Sequence, residues 1–168
     1  MTELTQAKLK ELFDYDPLVG DLVRKTTVAS NAKVGDIAGK AMPRGYIQVR
    51  IETKSYLAHR LIFLLMTGRW PKHEIDHIDH DTGNNRWGNL REATRGENSK
   101  NQSSNSRNTS GHIGVCWDKN RKKWEAKINV KRRNVHIGRF EKFEDACNAR
   151  KAAEKKYGFH PNHGAKAA

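Results

Sequence analysis

The densest chemistry in the chain lies in His73-Glu-Ile-Asp-His-Ile-Asp-His-Asp-Thr-Gly-Asn-Asn-Arg-Trp-Gly-Asn-Leu-Arg-Glu-Ala-Thr-Arg-Gly-Glu-Asn98. Asp76 offers a carboxylate and Asn98 an amide oxygen, donors that suit a hard cation, and His77 offers an imidazole beside them as a general base. Such a set suits a phosphodiester attacked in line, which needs a deprotonated water on one side and charge neutralisation on the other. Two other readings of the same letters fail. His73-Glu-Ile-Asp-His77 spells the H-E-x-x-H zinc-protease string, which works only on a helix. Pro71 precedes it and Asp79-His-Asp-Thr-Gly83 breaks the chain straight after, so a helix has room for roughly two turns. Asp79 and Asp81 suggest a calcium loop, but Gly83 falls one position early and no closing glutamate follows.

The elements that would position these groups are short. Residues 74–78 read as a strand ending in Asp76-His77, residues 79–88 as a polar loop, and residues 90–94 as a second strand. Thr94-Arg-Gly-Glu97 spells a capping box, so a helix starts there with Asn98 in its first turn. A hairpin followed by a helix can bring Asp76, His77 and Asn98 to one point. In the loop, Asn84, Asn85 and Arg86 read as plain loop residues, with shaping of the hairpin or contact with phosphate as the other use. His80 reads as solvent-exposed, and His59 as a packing residue on a buried helix.

Before this stretch the pattern predicts a helix over residues 5–15 with Thr5 as N-cap, a turn at Asp16-Pro-Leu-Val-Gly20, and a strand starting near Asp21. Residues 46–51 alternate as a strand, and residues 58–67 form a buried helix ending at Gly68. Residues 99–111 contain no apolar side chain and read as a linker. After it come three strands, near residues 113–117, 123–130 and 133–140, and a helix from about 143 to 157 that Gly158 can cap. On the second strand Trp124, Ala126, Ile128 and Val130 share one face. Trp124 reads as core rather than as a base-stacking residue. The domains expected are thus 1–98, the linker 99–111, and 112–168.

Charge divides in the same place. Residues 1–98 carry 15 basic and 13 acidic side chains, and residues 99–168 carry 17 and 6. The net charge of +13 therefore resides mostly in the last 70 residues, as expected for a half that binds a polyanion. Nucleic acid is the first such partner and an anionic membrane surface the rival. The longest apolar run, residues 61–66, is far short of the roughly 20 residues a span needs. The N-terminus has no basic start followed by an apolar stretch, so no signal peptide is expected. Cys116 and Cys147 cannot form a disulfide framework or a four-cysteine zinc site, and a reduced cytoplasmic setting is expected.

Asp76-His77, Asn89-Leu-Arg and Glu97-Asn98 resemble the HNH nuclease motif, in the variant where asparagines stand at positions 89 and 98 for the histidines of the name. Ser55-Tyr-Leu-Ala-His-Arg-Leu-Ile62 and Thr67-Gly-Arg-Trp-Pro71 are similar to the approach to that motif in phage homing endonucleases. The resemblance covers roughly residues 44–100. It implies an α+β chain with a ββα-metal hairpin and helix. Asp76 and Asn98 would bind one Mg²⁺ or Mn²⁺, His77 would activate water, and Asn89 would brace the loop so that His77 points correctly. The zinc-binding cysteines of some relatives are absent, so no zinc is expected and packing alone should hold the loop.

Residues 110–157 resemble the Apetala-type, or ethylene-response-factor, DNA-binding domain. The matching residues are Ser110-Gly-His-Ile-Gly-Val-Cys-Trp117, Trp124-Glu-Ala-Lys-Ile128, His136-Ile-Gly-Arg-Phe140 and the helix around Asp145-Ala146 and Ala149. The resemblance implies a small three-stranded antiparallel sheet packed on one helix, its open face in the DNA major groove. That face would offer Lys123, Lys127, Asn129, Lys131, Arg132 and His136, with lysines meeting mostly phosphate. Together the resemblances imply a metal-dependent, phage-encoded DNA endonuclease of the bacterial cytoplasm. Its partner is double-stranded DNA, and no membrane or protein partner is implied. The alternatives are a non-catalytic DNA-binding protein that keeps the nuclease fold, or a protein directed at RNA.

Overall fold

Residues 4–104 and 108–165 are described by the structure, a computed structural model. Two compact units make up the chain, Met1–Thr94 and Arg95–Ala167.

In the first unit Thr5 caps α1, Gln6–Leu12, by accepting the Lys8 N–H at 3.3 Å. The helix is shorter than the sequence predicts. Phe13 leaves it in an extended conformation and opens β1, Phe13–Tyr15, which pairs antiparallel with β2, Leu22–Arg24. An aromatic side chain fits a half-covered sheet better than a helix end, and here Phe13 joins the core. Next come β3, Lys40–Ala41, β4, Ile47–Ile51, and β5, Lys54–Leu57, in one antiparallel sheet of order β3-β4-β5. The buried helix α2 spans Ala58–Thr67 and stops at Gly68, which takes the left-handed conformation and returns its N–H to Leu64 O. Leu9, Val49, Leu61 and Ile62 are fully enclosed. Each such side chain contributes roughly 1.5–3 kcal/mol over its exposed state, so this core is rigid enough to carry a site.

The hairpin consists of β6, Glu74–His77, and β7, Leu90–Ala93, paired antiparallel with Asp76 opposite Arg91 and His77 opposite Leu90. Glu92 anchors its approach. It accepts from Arg69 Nη2 at 2.6 Å, from the His73 N–H at 3.0 Å, and from the Lys72 N–H. The Arg69 hydrogen bond and those backbone donors outweigh partial desolvation and pull its carboxyl down to about 2.

The second unit opens with α3, Arg95–Ser99. Strands β8, Val115–Asp118, β9, Lys123–Val130, and β10, Arg133–Phe140, form an antiparallel sheet of order β10-β9-β8. Helix α4, Phe143–Lys156, packs on it. The core is small. Val115, Ala126 and Ala146 are buried, with Trp124, Phe140 and Phe143 against them, and the Trp124 and Phe143 rings lie 4.7 Å apart. Trp124 is thus a core residue. The helix C-cap is Tyr157, one position before the expected Gly158.

The polar stretch expected as linker differs in its first part. His160 N–H donates to Lys100 O, Gly164 N–H to Gln102 O, and Ser104 N–H to Ala165 O, while Asn101 is 2% exposed. A segment without apolar side chains still carries one backbone donor and acceptor per residue, and here the C-terminal tail supplies the partners. Residues 105–107 of the expected linker lie outside the described residues. Among the described residues no helix is long and apolar enough to cross a membrane.

Candidate active site

Regular alternation sends Ile75 and His77 to one face of β6 and Asp76 to the other. The strand conformation also removes the zinc-protease geometry, which requires both histidines on one helical face. Asp76, 8% exposed, lies opposite Arg91, whose Nε and Nη2 both reach Asp76 Oδ2, at 2.9 and 2.7 Å. His77, 3% exposed, lies against α2: its ring is 5.2 Å from His59, edge to face, and 6.0 Å from Tyr46. Its Nε2 is 3.2 Å from Asn85 Oδ1. Asp76 and His77 are therefore neighbours in sequence held by different partners on different faces. Asn98 sits half-buried in α3, in the second unit, and its carbonyl accepts the Asn101 N–H.

The 79–89 loop is stapled from within. Asp79 N–H donates to Asn89 Oδ1 at 3.0 Å, and Asn89 Nδ2 returns a bond to Asp79 Oδ1 at 2.9 Å and another to Asn84 O at 2.8 Å. Asn84 Nδ2 adds 2.6 Å to Asp79 Oδ2. Burial raises the Asp79 carboxyl, but the Asn84, Asn89 and Asp81 donors and the nearby His77 outweigh it, and the net shift is downward. Asn89 thus clamps the loop whose far end carries Asn85. The expectation that packing alone holds this loop is corrected: amide–carboxylate bonds hold it, with Trp87 packed on Phe63 at 6.0 Å.

Several participants escaped sequence reading. Asn85, which in sequence reads as a plain loop residue or a shaper of the hairpin, is 4% exposed and bonded to His77. Tyr15, 70 residues earlier, donates its hydroxyl to Asn85 O at 2.9 Å, and its own pKa is pushed up to about 12, chiefly by burial. Gly20 makes the approach possible: a Cβ there would stand 2.6 Å from Arg86 N and 2.8 Å from Asn85 C, and its φ of +94° suits glycine. His80, expected to be solvent-exposed, is half-buried with a φ of +70°. His59 is buried as a packing residue should be, and burial, with the nearby His77 and Arg60, lowers its pKa to about 4. Only Arg91 had a readable signal, since a hairpin register with His77 opposite Leu90 puts position 91 beside Asp76.

The expected DNA-contacting residues of the second unit divide into two groups. Asn129, Lys131, Arg132 and His136 are exposed, and Lys131 and Arg132 form the two-residue turn between β9 and β10, both with positive φ. Lys123 and Lys127 are half-buried and paired, with Glu141 at 3.7 Å and Glu125 at 2.9 Å. Glu125 also meets His136 at 3.2 Å and Arg139 at 3.3 Å. One carboxylate in the middle of the sheet thus gathers two cations and a histidine, and of these Lys127 and His136 are expected from sequence to meet DNA.

Residues 56–100 match a protein-family model described as HNH endonuclease. The match runs from β5 through α2 and the hairpin into α3. No curated protein and no solved structure matches the chain. Over residues 56–100 the chain is therefore similar to HNH endonucleases. Among the described residues no three His, Cys, Asp or Glu side chains gather around one point.

Proposed function

We propose that the protein is a metal-dependent HNH DNA endonuclease of the phage homing type, in which His77 is the general base and Asn89 the loop brace. The observation that carries this reading is the combination of the HNH match with a buried histidine, fixed at Nε2, beside a loop clamped by Asn89. His77 takes a proton from the attacking water, and its confinement between Asn85, His59 and Tyr46 keeps the ring from turning. Because Asp76 and His77 leave β6 on opposite faces, a phosphodiester that meets both lies at the hairpin's end. Asp76 and Asn98 are the residues that would hold one Mg²⁺ or Mn²⁺. When bound, that ion would neutralise charge on the phosphate and the leaving oxygen.

In the same reading the second unit is an Apetala-type DNA-binding domain that supplies most of the affinity. The exposed turn residues Lys131 and Arg132, and the net +11 of residues 99–168, support it. The bacterial cytoplasm is the setting such an enzyme works in.

One observation favours a second reading. The Arg91 guanidinium already neutralises Asp76, as expected of a DNA-binding protein that keeps the nuclease fold without its chemistry. Incubation of supercoiled plasmid with the protein in Mg²⁺, in Mn²⁺ and in EDTA separates the two. Nicked or linear product in either ion, and none in EDTA, is the expected result. Binding with no cleavage in either ion establishes the second reading.

A further inference from the structure

We infer that Asn85 is a positioning residue that fixes the tautomer of His77, with the proton on Nε2 and the lone pair on Nδ1. The argument is a chain of donors and acceptors. Gly83 O can only accept, and Asn85 Nδ2 lies 3.2 Å from it, so the amide faces Gly83 with its nitrogen. Asn85 Oδ1 is then turned to His77 Nε2, 3.2 Å away. That oxygen can only accept, so the ring nitrogen facing it must carry hydrogen. A flipped amide would set two acceptors against each other at Gly83 and leave a buried amide oxygen without its bond, at a place 4% exposed.

Asn85 is itself held from the far end of the unit. Tyr15 donates to its carbonyl at 2.9 Å, and Gly20 admits its backbone at a distance no other residue allows. Strand β1 and the turn after it therefore have a task beyond covering the core, since they hold the residue that orients the histidine.

The consequence for the reaction rests on the nuclease reading. An O–H bond of water breaks and its proton goes to His77 Nδ1. The water oxygen forms the new bond to phosphorus as the bond to the leaving oxygen breaks, and that oxygen departs with the electron pair. His77 becomes an imidazolium whose Nε2–H still points at Asn85 Oδ1. The bond it already makes becomes charge-assisted, and the ring need not turn.

The test uses the full chain, labelled with ¹⁵N, and long-range ¹H–¹⁵N spectra of the histidine rings, with His77 assigned by the signal lost in His77→Gln. The expected pattern for His77 is Nε2–H with an unprotonated Nδ1, giving way in Asn85→Ala to a mixture of both tautomers. In cleavage assays Asn85→Ala should lower kcat by on the order of 10² with KM within about twofold. A wild-type His77 protonated at Nδ1 overturns the inference, as does an Asn85→Ala protein with wild-type tautomer and rate. If His77 shows the Nε2–H pattern but the wild-type protein cleaves no DNA in Mg²⁺ or Mn²⁺, the tautomer assignment stands and the nuclease reading falls.

Discussion

In the hairpin β6–β7 Asp76 and His77 are enclosed and each is held by a neighbour, Asp76 by Arg91 and His77 by Asn85. In the hairpin β9–β10 Asn129, Lys131, Arg132 and His136 are exposed, and Lys131 and Arg132 at its tip have no ion pair among the described residues. The supports differ accordingly. The first hairpin belongs to a core built on Leu9, Val49, Leu61, Ile62 and Phe63, while the second rests on Val115, Ala126 and Ala146. Proton transfer needs groups held within tenths of an ångström, which only dense packing provides. Attraction of a polyanion needs displayed charge and tolerates movement, because phosphate contacts act through counterion release.

The largest effect should come from the enclosed hairpin. His77→Ala should lower the cleavage rate by on the order of 10²–10⁴ and leave DNA affinity within about twofold, since a general base contributes to the barrier and not to phosphate binding. Cleavage and gel-shift assays on one preparation check this, and near-wild-type cutting would remove His77 from the mechanism.

The displayed hairpin should answer the opposite way. Replacing Lys131 and Arg132 by Ala should leave the rate at saturating DNA unchanged but reduce the salt slope of binding by about 2, at roughly 0.9 per phosphate contact. Adding Lys123→Ala and Lys127→Ala should reduce it by less than the same again, because Glu141 and Glu125 already neutralise those lysines. Glu125→Gln, which releases Lys127, His136 and Arg139, should tighten binding. Affinity measured against salt concentration for each variant gives the slopes. Unchanged slopes would mean that another surface meets the DNA.

Acid should weaken the first unit in two successive, partly overlapping windows. His59 has a folded pKa of about 4 against an ordinary 6.5, so the fold favours its neutral form. That contribution, about 3 kcal/mol when complete, is present above pH 6.5 and is lost as the pH falls through 4. Glu92 is held at about 2 against 4.5, so its contribution is present above pH 4.5 and is lost on the way down to 2. Urea midpoints measured from pH 7 to pH 2 should show His59→Gln removing the first decline and Glu92→Gln the second. A first decline that persists in His59→Gln would assign it to another group.

The smallest effect tests the cost of display. Lys131 and Arg132 have φ of +49° and +64°, the conformation of a turn that favours Asn-Gly. Placing Asn and Gly there should raise stability by about 1–2 kcal/mol while weakening DNA binding. A stability gain without loss of affinity would take the turn out of the interface.

How much of this was legible in advance follows the range of the forces involved. The strand over residues 123–130, the helix over residues 58–67 and the pairing of two strands around a polar loop are local patterns, with periods of two and 3.6 and glycine stops. Asp76, His77, Asn89 and Asn98 stood out because four such residue types at that spacing are a motif, and the split of charge at residue 99 needed only counting. The partners of these residues came from elsewhere. Nothing near Asn85 in sequence points to Tyr15 or Gly20, and nothing near Glu125 points to Arg139, because such contacts are set by register and packing between segments far apart. The pairing of residues 100–104 with the C-terminal tail is illegible for the same reason, since backbone hydrogen bonds leave no mark on side-chain composition. By itself the sequence determined which groups could do chemistry and which half carries the charge. Only the tertiary structure decided that Asp76 and His77 face apart, that Arg91 and Asn85 hold them, and which cations remain open to a phosphate, because direction and distance depend on residues the motif does not contain.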